Sequence, residues 1–528
     1  MEMQDIIISG GLIADGSGAE PYPGGVAVRD GLITRVGDVS GLHARQTLDA
    51  AGLVIAPGFI DAHCHSDVSF IMDKRSQSRI FQGVTTEVCG QCGDSYFPCL
   101  PEKRELISSR AELPREEEWA AESFEAFRSH VIRRGIQMST NLCQLVGHGA
   151  LRSGVMGKAD RAPDASELYT MCRLLERDLA GGAWGLSLGL EYSPGCFSGT
   201  DELAALACVV KRHGGIVTVH MRDEGQAIFD AVGEVIEIGR RSGARMHISH
   251  LKIDRPVNWG RAREVWELIE SARREGIALT ADVYPYTASC TGITNRCPKW
   301  AIEGGVQSAA RFLRSERRGE ILAHLAGRFP DAEWARRCLI SNTYSRFPEA
   351  EGKTLLELSE MLRVSYAEAA AELIERTDGL ADCIFFSIDE RDLDYFIRRD
   401  VCIGSDGKGY PLDPALVGSE KPHPRYYGAI VRFLRLAREQ SLCPVGKAVR
   451  RVTADAADML GLADRGRLVP GLAADITVFD AAGVSDKATY LDPFRRPDGI
   501  VHVVVNGHTA LCGGVETQAC AGEYILSR

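Results

Sequence analysis

Two histidines separated by one residue are the first feature of this sequence that suggests chemistry. His63 and His65 follow a short apolar stretch, residues 54–56, that is typical of a buried strand. Because side chains alternate across a strand, we expect both imidazoles to point the same way, while Cys64 points into the opposite layer. Such a pair can hold one metal ion. Taken alone, it is equally compatible with two histidines packed in a core.

Further residues of metal-ligand type stand at, or just after, the ends of other predicted strands: Cys92, His220, His250 and Asp406. In a barrel of parallel strands these ends converge on one face, where active sites are built. A thiolate beside imidazoles suits zinc. Taken one at a time, each residue also has a structural explanation. A histidine can cap a backbone carbonyl, the cysteine can be a buried core thiol, and the aspartate can form an Asx turn. Their shared position predicts one metal centre, with Cys89, His148 and His247 as candidates for orienting its ligands.

The middle of the chain alternates short apolar strands with helices. Strands are predicted at 216–220 and 245–250, with a helix at 229–240 between them. Repeated units of this kind indicate a parallel sheet, and at this length they favour a (β/α)8 barrel over an open doubly wound sheet, which stays as the alternative. From about 289 to 347 the alternation breaks down into Pro-, Arg- and Trp-rich sequence, which predicts an insertion on the barrel rim.

Both ends of the chain are rich in predicted strands. Asp30-Gly31 and Asn506-Gly507 are strong signals for tight hairpin turns. Because two strand-rich ends bracket a middle of different character, we expect them to pair into one small sheet domain.

Composition limits the partners of this protein. The 528 residues are 45% hydrophobic and 25% charged, and their formal net charge is -11 with a pI near 5.7. These values are typical of a globular protein, and they argue against nucleic acid or an anionic membrane as the main partner. The sixteen cysteines lack the spacing of a disulfide framework, which predicts reduced thiols and a cytoplasmic location. A small-molecule substrate is expected, and a homo-oligomer is compatible with the sequence.

Together these motifs resemble the amidohydrolase superfamily and, within it, the N-acyl-D-amino-acid deacylases (D-aminoacylases). The resemblance covers nearly the whole chain. It rests on PGFIDAHCH (57–65), GVTT (83–86), QCG (91–93), VGHG (146–149), GLSLGLEY (185–192), HMRDE (220–224), SHLK (249–252), DVYPY (282–286), GSDG (404–407), HPR (423–425) and GRLVPGLAAD (466–475). Cys92 together with residues 190–192 indicates the deacylase branch.

This resemblance implies a zinc-dependent enzyme that hydrolyses N-acyl-D-amino acids. It implies one tightly held zinc on Cys92, His220 and His250, and a weaker second position at His63 and His65. Asp406 would be the general base. The preference for D-amino acids follows from the resemblance alone. The chain has Gln91 where the family usually has Asn and Leu251 where it often has His, and neither difference removes a ligand.

The resemblance also implies a barrel with a composite β-sandwich built from both termini. The predicted division is 1–57 and 466–528 for the sandwich, 58–415 for the barrel with its insertion at about 289–347, and 416–465 for helices associated with the barrel.

Four residues are predicted to bind substrate. Lys252, Tyr284 and Tyr192 lie at or just after strand ends and match family positions that grip substrate, so we expect them near its α-carboxylate. Arg296 is predicted to meet an acidic substrate side chain through a bidentate pair. The alternatives are a solvated lysine, packed aromatic rings and an exposed loop arginine.

Two other functions share this fold. A cyclic amidase of the hydantoinase or dihydroorotase type also has the H-x-H motif, but typically bridges two metals with a carboxylated lysine, where this chain has Cys92. A non-catalytic scaffold usually lacks ligands, whereas all six positions are filled here.

Overall fold

The computed structural model describes residues 3–100 and 119–527. The strands are β1 (Gln4–Ile13), β2 (Tyr22–Arg29), β3 (Leu32–Gly37), β4 (Ala44–Asp49), β5 (Val54–Pro57), β6 (Phe59–Asp61), β7 (Val84–Cys89), β8 (Asn141–Gln144), β9 (Val146–Gly147), β10 (Gly185–Gly189), β11 (Ile216–His220), β12 (Arg245–Ile248), β13 (Leu279–Val283), β14 (Ser289–Gly292), β15 (Cys338–Asn342), β16 (Asp382–Phe385), β17 (Cys402–Ile403), β18 (Ile476–Phe479), β19 (Ile500–Val505), β20 (His508–Cys512) and β21 (Val515–Glu516).

The helices are α1 (Gln77–Ile80), α2 (Phe124–Arg133), α3 (His148–Met156), α4 (Ala165–Ala180), α5 (Thr200–Arg212), α6 (Ile228–Ser242), α7 (Ala262–Arg274), α8 (Gln307–Leu313), α9 (Arg318–Arg328), α10 (Ala332–Arg336), α11 (Leu355–Leu362), α12 (Tyr366–Thr377), α13 (Glu390–Ile397), α14 (Arg425–Glu439), α15 (Val445–Arg451) and α16 (Ala454–Leu460). In the part of the chain described, no helix combines the length and the apolar character needed to cross a membrane.

Parallel strands from the middle of the chain follow one another around a ring. One set pairs in the order β17-β13-β12-β11-β10-β9, and a second in the order β6-β7-β8. The sets join twice. Only Leu145 separates β8 from β9, and its amide donates to Cys89 O, while the amide of Ala62 donates to Ile403 O between β6 and β17. The carboxyl ends of these strands therefore open on one face.

Helices cover the outside of this ring with one apolar face each. In α7 the buried side chains include Val265, Trp266 and Ile269, at helical spacing. The strands β10 and β11 are buried at every position, as expected for parallel strands covered on both faces. Local chemistry ends the helices: α6 stops at Gly243, whose φ of 65° is a left-handed cap.

Strands from both ends of the chain form one sheet, as the sequence predicted. Among the described residues it has nine strands, in the order β21-β20-β19-β18-β5-β1-β2-β3 with β4 beside β1. Asp30 and Gly31 both have positive φ between β2 and β3, as do Asn506 and Gly507 between β19 and β20, which confirms both predicted hairpin turns. The chain passes from this sheet to the ring within two residues, between β5 and β6.

A third, antiparallel sheet lies outside the ring. It pairs in the order β14-β16-β15 and packs with helices α8 to α12 around a separate apolar core. The insertion was predicted to end near residue 347, but this layer continues to Phe385. The reason is that β16, far along the chain, pairs with both β14 and β15.

Candidate metal centre

The predicted ligand residues meet at the carboxyl ends of the ring strands. They form two groups in which the possible ligand atoms all lie within 4.8 Å of one another: His63, His65, Cys92 and Asp406 in one, and Cys92, His220 and His250 in the other. All are buried except His65, which is partly buried. They follow several different strands, so the ring brings together residues that lie hundreds of positions apart.

The Cys92 thiol belongs to both groups. Its Sγ lies 3.4 Å from His63 Nε2 and 3.4 Å from His250 Nε2. Cys64, between the two histidines of the H-x-H motif, points away, and its Sγ lies 3.4 Å from Cys89 Sγ in the opposite layer. The alternation expected from the sequence is therefore present, and Cys92 is shared by the two groups of candidate ligands.

Asp282 orients the imidazoles from behind. Its Oδ2 lies 3.3 Å from His63 Nδ1 and 2.8 Å from His247 Nε2, and its Oδ1 accepts the amide of His250 at 2.9 Å. Burial alone would raise the pKa of Asp282, but His63 and His247 hold it below its usual value. The ionised carboxylate thus fixes the ring of His63 with Nε2 towards Cys92, an arrangement common around metal ligands.

Two glutamates hold the other two imidazoles. Glu224 Oε1 lies 3.0 Å from His250 Nδ1, and Glu224 Oε2 lies 2.5 Å from Lys252 Nζ. Glu191 Oε2 lies 3.1 Å from His220 Nε2. The other ring nitrogen of His220 is buried and has no hydrogen-bond partner among the described residues. A buried nitrogen left without a partner is a donor atom suited to a metal ion.

Asp406 is an ionised carboxylate at the centre of a cationic environment. Its Oδ1 lies 3.1 Å from His65 Nε2 and 3.5 Å from His63 Nε2, and its Oδ2 lies 2.7 Å from Arg425 Nη1. Burial would raise the pKa of Asp406, but Arg425, followed by His250, holds it well below the usual value. The side chain is therefore ionised and carries a negative charge into the cluster of imidazoles.

Three site residues have left-handed backbones. The φ angles are 53° at Cys92, 36° at His250 and 48° at Asp406. This conformation costs a residue other than glycine about 1–3 kcal/mol, and it persists where the surrounding structure imposes it, often at functional sites. Gly189 permits it at Cys92, because a Cβ there would overlap Cys92 O.

The predicted substrate residues Tyr284, Lys252 and Tyr192 lie beside the ligands. The Tyr284 hydroxyl is buried and has no hydrogen-bond partner among the described residues. Its ring lies 5.8 Å from Lys252 Nζ and 4.8 Å from the Arg425 guanidinium. Tyr192 packs against His220 with ring centroids 4.6 Å apart. Two cations and two aromatic rings thus flank the ligand groups.

Arg296, the fourth predicted substrate residue, lies in a separate group of arginines. It is buried, 3.5 Å from Asp254 Oδ2, with its guanidinium over the Phe385 ring at 4.1 Å. Arg255 and Arg328 line the same small cavity. Burial, together with repulsion from Arg296, lowers the pKa of Arg255 to about 10. Positive charge here exceeds what Asp254 balances.

Comparison with known proteins identifies the family. The family model described as "Amidohydrolase family" matches residues 46–331 and 401–510. The chain belongs to this family. It is 34% identical to the N-acyl-D-glutamate deacylase of Alcaligenes xylosoxydans xylosoxydans over 96% of this chain and 93% of that protein, and 34% identical to the D-aminoacylase of the same organism over 95% and 93%.

A solved structure agrees over its whole length. The crystal structure of N-acyl-D-glutamate deacylase from Bordetella bronchiseptica, complexed with zinc and a phosphonate inhibitor, matches with a TM-score of 0.84 and 31% identity, covering 100% of both chains. The resemblance to amidohydrolases of the D-aminoacylase type is confirmed. So is the α/β barrel fold with an additional domain.

Four residues of this amidohydrolase site were not predicted as site residues: Glu191, Glu224, Asp282 and Arg425. A usable signal was present for three of them, and Glu191 is one, because it lies two residues after β10. Asp282 lies near the carboxyl end of β13 and Glu224 shortly after β11, the same placement that drew attention to the histidines. Nothing in the spacing marks Arg425, because its contact with Asp406 depends on how α14 packs.

Because Cys92 belongs to both groups, its removal is expected to affect metal binding at both. Cys92→Ala removes a donor from both groups, so we expect the purified protein to lose nearly all its bound metal by elemental analysis. Cys89→Ala is the matched control, because it removes a buried thiol from the opposite layer and should leave metal content unchanged. Full metal content in Cys92→Ala would contradict the ligand assignment.

The close approach at Gly189 gives a second prediction. Gly189→Ala should push the Cys92 loop away and weaken metal affinity by about 10- to 100-fold, the range seen when the supports of metal ligands are disturbed. Competition with a chelator measures this. Gly233→Ala in α6 is the control, because a Cβ there meets nothing within 4 Å. Equal affinities in the two variants would show that this contact does not position Cys92.

Proposed function

We propose that this protein is a zinc-dependent N-acyl-D-amino-acid deacylase, which hydrolyses the amide bond of its substrate to a carboxylate and a free D-amino acid. One observation carries the proposal: the Cys92 thiol lies between imidazoles of two groups, beside the ionised Asp406. Similarity to two deacylases over almost the whole chain supports it.

The donor set fits zinc. Thiolate and imidazole are its preferred protein ligands, and the orphaned nitrogen of His220 adds a donor. We propose that Cys92, His220 and His250 hold one tightly bound zinc and that His63 and His65 form a weaker second position. When bound, zinc lowers the pKa of water to about 7 and polarises the acyl carbonyl.

Asp406 is proposed as the general base and acid. Its carboxylate accepts a proton from the attacking water, and the same proton then passes to the amide nitrogen as the C–N bond breaks. His65 and Arg425 fix the two carboxylate oxygens, so the group is held in place for both transfers. The acyl group leaves as a carboxylic acid whose proton passes to the amine, so the products at neutral pH are a carboxylate and an ammonium group.

The substrate α-carboxylate is proposed to bind the cationic wall beside the ligands. Lys252 and Arg425 supply positive charge, and the orphaned hydroxyl of Tyr284 supplies a hydrogen-bond donor between them. Tyr192, whose ring packs at a tilt against His220, is proposed to pack against the substrate from the other side. A buried hydroxyl without a partner favours this role over simple packing.

The finer domain division is also a proposal. The ring of parallel strands supports a (β/α)8 barrel over 58–415, and the sheet shared by both termini supports a composite β-sandwich of 1–57 and 466–528. Helices α14 to α16 lie within the segment 416–465.

A cytoplasmic location is supported by the sixteen cysteines, all of which are free thiols.

Loss of the base should stop catalysis without loss of metal. We expect Asp406→Ala to lower kcat for N-acetyl-D-amino acids by about 100- to 10,000-fold, the usual contribution of general acid–base catalysis. Zinc content should persist, because the donors of the second group remain. Asp413→Ala, an exposed carboxylate a few residues away, serves as control. Substantial turnover by Asp406→Ala would remove this residue from its role.

The position of Arg296 predicts a preference for substrates with an acidic side chain. If Arg296 meets an acidic side chain, Arg296→Ala should lower kcat/KM for N-acetyl-D-glutamate and N-acetyl-D-aspartate by about tenfold or more, the worth of one charge-assisted contact. Rates on N-acetyl-D-methionine should stay unchanged. Arg337→Ala is the control, because Arg337 lines the same cavity but pairs with Glu333 at 2.7 Å. Unchanged relative rates would end this idea.

A further inference from the structure

A large cavity lies at the opposite end of the ring from the metal centre. Its volume is about 900 Å³, and its lining includes the first residues of three strands, Ile216, Arg245 and Leu279. The candidate ligands His220 and His250 lie at or beyond the other ends of the first two of these strands, which at four and five residues span about 13–16 Å. A molecule bound here would not touch the metal centre.

The cavity is cationic. Among the described residues, seven cationic and three acidic side chains line it: Arg245, Arg273, Arg398, Arg399, Lys447, Arg450, Arg451, Asp400, Asp455 and Asp458. Two of the acids are already paired, Asp455 with Arg450 at 2.8 Å and Asp458 with Arg467 at 2.7 Å. The chain as a whole carries a net charge of -11, so this local surplus of positive charge runs against the global sign.

Arg451 is the most enclosed of these cations. It is 8% exposed, and its Nε and Nη1 donate to the main-chain oxygens of Val401 and Ile397. Its Nη2 is buried and has no hydrogen-bond partner among the described residues. No carboxylate lies within 4.0 Å of it in that part of the chain, and burial lowers its pKa. A buried guanidinium lacking an anion is costly unless a ligand supplies one.

Arg399, two residues before Val401, resembles Arg451 in having, within the described part of the chain, an unpartnered guanidinium nitrogen and no paired carboxylate. Its guanidinium stacks on the Tyr395 ring at 4.1 Å, its Nε is buried without a hydrogen-bond partner, and no carboxylate pairs with it among the described residues. Lys447, exposed on α15, adds a third cation to the same lining. By contrast, Arg398 pairs with Asp394 at 2.9 Å, and Arg245 donates to the carbonyls that end α16.

We propose that this cavity is a binding site for a phosphate group, held by Arg399, Arg451 and Lys447. The planar guanidinium group matches the oxygens of phosphate in a bidentate arrangement. A dianion also neutralises several positive charges better than a single carboxylate does. The cavity has room for either free phosphate or a phosphomonoester. The site is independent of the proposed deacylase activity.

Binding is tested on the zinc-loaded protein by isothermal titration calorimetry, at constant ionic strength, with inorganic phosphate and with AMP as probes. We expect saturable binding of at least one probe, and tighter binding of AMP if the natural ligand is a phosphomonoester. Arg399→Gln should weaken binding by about tenfold or more, because a charge-assisted bidentate contact is lost. Zinc content and deacylase turnover should stay unchanged in this variant.

Arg398→Gln is the matched control, since Arg398 is the neighbouring residue and lines the same cavity but already has a carboxylate partner. It should bind as the unchanged protein does. Lys447→Gln, an exposed position, gives a second test that does not risk the fold. The proposal is overturned if neither probe binds. It is equally overturned if binding survives in Arg399→Gln and Lys447→Gln but disappears in Cys92→Ala, because the anion then occupies the metal centre.

Discussion

One sulfur atom between imidazoles from different parts of the ring imposes most of the local structure of this site. For Cys92 Sγ to lie 3.4 Å from both His63 and His250, the loop after β7 must turn sharply inward. That turn requires a left-handed backbone at Cys92 and brings its carbonyl against Gly189. Local strain is therefore built into the loop, and the well-packed strands around it supply the stability that keeps it.

Buried carboxylates make the cluster of imidazoles and cations possible. Four histidines, a lysine and an arginine in a water-poor interior would repel one another and lose hydration. Asp282, Glu224 and Asp406 each contact two or more of them and lie behind or between the ring nitrogens. These carboxylates both balance charge and fix which nitrogen faces the metal positions, so positioning and electrostatics are one property of the site.

Site residues could be predicted from the sequence where their placement follows from a local pattern. The spacing of His63 and His65 and the strand ends at His220 and Asp406 depend on strand alternation, which is a local rule. The contact of Arg425 with Asp406 and the end of the rim layer at Phe385 depend on tertiary packing. Arg296 shows the limit of prediction from sequence. Its residue type suggested a substrate contact, but its neighbours, Asp254 and two arginines, lie on other loops, and no local spacing rule predicts that these loops meet.

The ring separates two kinds of electrostatic environment at its two ends. At the carboxyl ends, buried carboxylates contact the imidazoles and cations of the two ligand groups directly. At the amino ends, Arg399 and Arg451 line a cavity whose cationic side chains outnumber its acidic ones, and neither arginine pairs with a carboxylate among the described residues. Arg451 donates to the main-chain oxygens of Val401 and Ile397, and Arg399 stacks on the Tyr395 ring, but these contacts supply no negative charge. The surplus charge is therefore better explained by a ligand than by the fold.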